Sequence, residues 1–148
     1  MSRLDANNND YLNAFNGSFV GILHWPQLDD FWNVLRKDTN ARWYVYAVGE
    51  PPPSVVANAA QVEDFITEID QLLRRDHQED YCGVVYVDDV ARPSFVKIYD
   101  PHNLGVSCGY SNHPPLPGWV MSKLAPVDLQ LQGPLSWQRK RWWQRLFS

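Results

Sequence analysis

Apolar positions along this chain change period several times, and each change predicts an element. Residues 19–24, Phe-Val-Gly-Ile-Leu-His, are an almost unbroken apolar run and predict a strand buried on both faces. From Trp25 the period lengthens. Leu28, Phe31, Trp32 and Leu35 fall at i, i+3, i+4 and i+7, the single apolar stripe of a helix. Pro26 suits its start, Asp29 and Asp30 read as first-turn acids, Arg36 and Lys37 as last-turn bases, and Asn40 as a stop. Residues 42–48, Arg-Trp-Tyr-Val-Tyr-Ala-Val, are aromatic and β-branched and predict a second strand, ended by Gly49 and followed by the stiff run Pro51, Pro52, Pro53. Asn58 with Gln61 three residues later has the pattern of a reciprocally capped helix start. Behind it Val62, Phe65, Ile66, Ile69, Leu72 and Leu73 keep helical spacing as far as Arg74, Arg75 and His77.

Residues 81–88 and 94–99 predict two strands, and the five residues between them suit an antiparallel hairpin with Pro93 at its edge. Residues 100–118 are rich in Pro, Gly and Asn and predict a long ordered loop; residues 119–124 predict a last strand. Residues 126–134 lead into a terminal helix. The expected order is β-α-β-α-β-β, a further β, then α: an α/β fold bordering on α+β, with a mixed sheet and helices packed on it. Helical connections between the first three strands favour right-handed crossovers and parallel pairing there. This order is shared with thioredoxin-like topologies, as topology alone. Where such enzymes carry CxxC, this chain has Trp25-Pro26-Gln27-Leu28, which excludes dithiol chemistry at that place. The expected organisation is a loosely ordered arm over 1–17, a single domain over 18–133 and a C-terminal amphipathic helix over 134–148.

At 148 residues the chain suits one domain, which buries about 68–70% of its unfolded surface. An aromatic content of 14% supplies large buried areas, so the core requires neither disulfide nor metal. The polar N-terminus has no secretory signal pattern, and no stretch reaches the ~20 apolar residues of a membrane span. The two cysteines, Cys82 and Cys108, are far apart and form no CxxC, which fits a reducing compartment, so a cytoplasmic location is expected.

Charge changes the picture at the C-terminus. Residues 136–148 hold four of the 13 Lys and Arg, none of the 17 Asp and Glu, and three of the seven Trp. The rest of the chain is then a formal −8. Read as a helix, the segment gathers Trp142, Trp143, Leu146 and Phe147 on one side, with Gln138, Arg141 and Arg145 opposite. Arg139, Lys140 and Arg141 fall in its first turns, where the helix dipole disfavours cations. Such a short helix is marginal alone in water. It therefore packs on its own domain, docks on a protein partner or second copy with Trp and Arg as anchors, or lies on an anionic membrane surface. Nucleic acid is disfavoured by the acidic body.

The loop after residue 99 crowds the reactive side chains. His102, Cys108 and His113 with Asp100 contain the residue types of a metal site, but one thiolate and irregular spacing match no standard zinc pattern. Cys108 with His102 or His113, oriented by Asp100, also has the composition of a nucleophile–base pair. The same residues make a good turn sequence, since Pro101 presets φ and Asn103 and Gly105 tolerate positive φ. The expectation is thus a non-catalytic binding or accessory protein, without metal or cofactor. It engages a protein partner through the loop at 100–117 and through Trp142, Trp143, Leu146, Phe147, Arg141 and Arg145. An enzyme built on the loop is the alternative, and attachment to an anionic membrane a further one.

Overall fold

The computed structural model describes residues 10–103, 116–129 and 137–147. Residues 10–15 are helical (α1), followed by β1 (Val20–Ile22), α2 (Trp25–Lys37), β2 (Tyr44–Ala47) and α3 (Ala59–Asp76). Then come β3 (Val85–Val87), β4 (Phe95–Ile98), a short 3₁₀ turn (Pro101–Asn103), β5 (Trp119–Ser122) and α4 (Trp137–Phe147). The α/β class and the β-α-β-α-β-β-β-α order hold.

The pairing differs from the expected one. The sheet runs β1-β3-β4-β5-β2, and every neighbouring pair is antiparallel. Strands β1 and β2 point the same way but lie on opposite edges, so the parallel pairing that a thioredoxin-like topology rests on does not form. The reason lies in the later connections. β3, β4 and β5 follow one another as antiparallel neighbours and occupy the middle, leaving only the two outer edges for the helix-linked strands.

Period-2 alternation sends each strand's side chains to two faces. On one face Val45, Ala47, Val85, Val87, Val96, Ile98, Trp119 and Met121 meet α2 through Phe31 and Trp32, α3 through Phe65, Ile66 and Ile69, and α4. On the other, Tyr46, Val48, Phe95 and Val120 are covered by α1 and by Phe19, Leu116, Val127 and Leu129. Leu129 N–H donates to the Tyr46 hydroxyl oxygen at 3.1 Å and ties that cover down. Part of the arm expected to be loose is therefore α1, and Tyr11 on it is fully buried. The Lys97 ammonium lies 4.0 and 4.1 Å from the ring centres of Phe15 and Phe19, and burial lowers its pKa.

Local sequence signals mostly act as read. Gln61 N–H donates to Asn58 Oδ1 at 2.8 Å and Asn58 N–H to Gln61 Oε1 at 3.0 Å, closing the reciprocal cap of α3. Asp29 and Asp30 lie beyond the first turn of α2, because the helix begins at Trp25. Asp29 instead accepts from Arg74 at 2.6 Å, while Asp70 accepts from the Trp32 indole at 3.0 Å, so polar contacts fasten α2 to α3. At the β3–β4 connection, Asp88 accepts from the backbone N–H groups of Ser94 and Phe95, both at 3.0 Å, and from the Ser94 hydroxyl. That carboxylate clasps the two ends of the hairpin together.

Candidate functional site

The segment expected to be a long loop joins two paired strands, and its residues 104–115 lie outside the described residues. Ile98 and Trp119 are cross-strand partners, so both loop roots sit at one end of the β4–β5 pair. At the first root the chain turns at Asp100, whose Oδ1 accepts from His102 N–H at 2.9 Å and starts the 3₁₀ turn. At the second root is Gly118. A Cβ there would stand 3.2 Å from Asp100 Cβ, so the two roots approach too closely for a larger residue without a shift.

Into this corner α4 delivers Arg139. Its Nε donates to Asp100 Oδ2 at 2.8 Å, and its Nη2 donates to Asp100 Oδ1 at 3.0 Å and to Asp76 Oδ2 at 2.8 Å. The three side chains are only 9%, 7% and 13% exposed, respectively for Arg139, Asp100 and Asp76. Asp76 ends α3, where a carboxylate opposes the helix dipole and needs a cation. Arg75 also donates to it at 2.9 Å, and His102 Nε2 lies 3.5 Å away. The Arg75 hydrogen bond, then that of Arg139, outweighs desolvation and holds the Asp76 carboxyl at about 2. Burial works against the Arg139 charge, but hydrogen bonds to Asp100 and Asp76 overcome it and raise its pKa.

The aromatic side of α4 lies against the domain. Trp142 is 9% exposed and meets Trp119 edge-on at 5.6 Å between ring centres. Trp143 and Phe147 both pack on Phe65, at 6.2 and 6.4 Å, and stack on each other at 4.2 Å. Leu146 joins the same core. These four residues were the expected partner contacts; here they are the seam between the helix and its own domain. Arg141 and Arg145 are exposed, and Arg145 approaches Glu68 at 3.9 Å.

Sequence reading missed Arg139, which it placed only among cations unfavourable to the dipole. The spacing contained the signal: 139, 142, 143 and 146 form one i, i+3, i+4, i+7 stripe, so Arg139 shares the buried side. Asp76 carried no comparable mark.

Of the alternative catalytic set, Asp100 and His102 are brought to the same corner, while Cys108 and His113 lie outside the described residues. Both Asp100 oxygens accept from Arg139, and the carboxylate beside the His102 imidazole is Asp76. Cys82 is fully buried, and burial raises its thiol pKa. Among the described residues, no group of three His, Cys, Asp or Glu side chains is placed to hold a metal ion, and no helix is long and apolar enough to cross a membrane. Comparison with known proteins finds no matching family, no similar curated protein and no similar solved structure.

Proposed function

We propose that this is a non-catalytic binding or accessory protein that engages a protein partner through the 100–117 loop and the outer side of α4. The observation that carries the reading is the Arg139 ion-pair cluster, which fixes the loop root and the C-terminal helix to one another. Asp100 at the start of that segment and α4, far apart in sequence, are thereby held together. Around this cluster stand Arg141 and Arg145, both exposed, and Arg75. A cationic rim on an otherwise acidic chain suits an acidic protein surface, chiefly by steering encounter. Trp142, Trp143, Leu146 and Phe147 pack against the domain, so these side chains are not offered to an anionic membrane. A cytoplasmic setting fits a Cys82 kept as a buried core thiol.

The test is co-purification from the native host with full-length protein beside Arg141→Glu/Arg145→Glu. Charge reversal should abolish the association in a protein that remains folded. A partner retained undiminished by the double variant overturns the reading.

A further inference from the structure

The two edges of the sheet are finished differently. Along β2, Ala57 N–H donates to Trp43 O at 2.8 Å, and the segment that reaches this bridge carries Pro51, Pro52 and Pro53, which have no N–H to offer. At the other end of β2, Glu50 N–H donates to Ala47 O at 3.0 Å, so the chain's own proline-bearing segment is anchored at both ends of that edge. Strand β1, at the other end, has β3 on one side, and among the described residues nothing pairs with its outer side. Residues 17–23, Gly-Ser-Phe-Val-Gly-Ile-Leu, contain no ionisable side chain and no proline. Val20 and Leu23 are each 55% exposed. Tyr81, 53% exposed, continues this apolar border, because Cys82 N–H donates to Leu23 O at 2.7 Å and holds the two segments together. Protein edges are ordinarily blunted by shortness, Lys, Pro, a bulge or a cover, since their free N–H and C=O groups are a template for another strand; β1, three residues long, has only the first of these among the described residues.

We propose that the outer edge of β1 is a strand-pairing surface, and that its occupant is β1 of a second copy of this chain, joined antiparallel across a twofold axis. Two physical reasons select a second copy. A chain of net charge −4 meets itself with least repulsion where the local sequence is uncharged, and this edge is such a place. The pairing also closes: with the β2 edge blocked, two copies complete one continuous sheet and no further copy can add to it. This inference is independent of the loop–helix reading above.

Sedimentation of the full-length protein from micromolar to several hundred micromolar tests it. The wild type should show a monomer–dimer equilibrium. Val20→Lys and Leu23→Lys, each placing a cation on both paired strands, should weaken it roughly tenfold or more. Val55→Lys, at a position 73% exposed elsewhere on the surface, should leave it unchanged. Hydrogen exchange on the wild type supplies a second measurement that needs no variant: backbone amides within residues 20–23 should gain protection as concentration rises. A protein that stays monomeric, a dimer insensitive to both lysine variants, or protection gained only elsewhere overturns the proposal, including in favour of a strand from a different protein.

Discussion

Arg139 gives up most of its hydration to stand between Asp76 and Asp100, and the energetic consequence is asymmetric. An ion pair taken out of water adds little net stability, because desolvation offsets attraction; removing one partner leaves the others charged and poorly solvated. Arg139→Met should therefore destabilise the protein by about 3–5 kcal/mol in urea unfolding at neutral pH. Arg139→Lys should fall between the two, since an ammonium cannot reproduce the planar fork that bridges both carboxylates. The cluster also sets an acid limit. The Asp76 carboxyl is depressed from 3.8 to about 2 in the folded protein. Its contribution is thus complete above the unfolded value near 3.8 and is lost as pH falls through about 2. Unfolding midpoints measured down this window should fall more gently for Asp76→Asn than for the wild type, and parallel slopes would remove Asp76 from the acid response. Salt should screen the outer Arg75 contact more than the inner Arg139 contact, because Arg75 is 64% exposed and Arg139 only 9%.

The helices were the most readable elements, because each has its cause within a few residues of itself. The Asn58–Gln61 cap and the stripe from Val62 to Leu73 are local, so α3 was legible, and Asn58→Ala should cost about 1 kcal/mol in thermal or chemical unfolding. The apolar stripe of α4 was legible for the same reason. What it packs on was not, because Trp119 and Phe65 lie 23 and 77 residues before Trp142 in the chain, and no periodicity within the helix names them. The two sides of α4 should separate cleanly on substitution. Trp142→Ala, at a buried contact with Trp119, should cost about 3–5 kcal/mol. Arg145→Gln should change stability by no more than about 0.5 kcal/mol, since an exposed pair at 3.9 Å is worth little. Comparable losses at both positions, measured by urea unfolding, would contradict the described packing.

At the scale of the whole molecule, strand order was the part of the fold that sequence could not supply. A helix between two strands specifies that the chain returns, and β1 and β2 do run the same way; it does not specify which strands will lie between them. That was decided by β3, β4 and β5, whose successive antiparallel pairing fills the centre of the sheet. The same architecture changes what the C-terminal segment is for. As a free ligand for a partner, its removal would leave the domain intact. In the structure it covers Trp119 and Phe65 and holds the end of α3 to the root of the long loop. Deleting residues 134–148 lets Asp76 and Asp100 regain water, so the ion-pair penalty of Arg139→Met largely disappears. The loss of apolar burial does not. A fully buried large side chain contributes about 1.5–3 kcal/mol, and with Trp142 buried and Trp143, Leu146 and Phe147 half-buried the sum is several kcal/mol, a large share of the ~5–15 kcal/mol typical of a domain. The truncated protein should therefore melt well below the full chain and bind a hydrophobic dye through the uncovered patch. A truncated protein with the same midpoint and no added dye binding would show that the helix does not stabilise the domain it lies on.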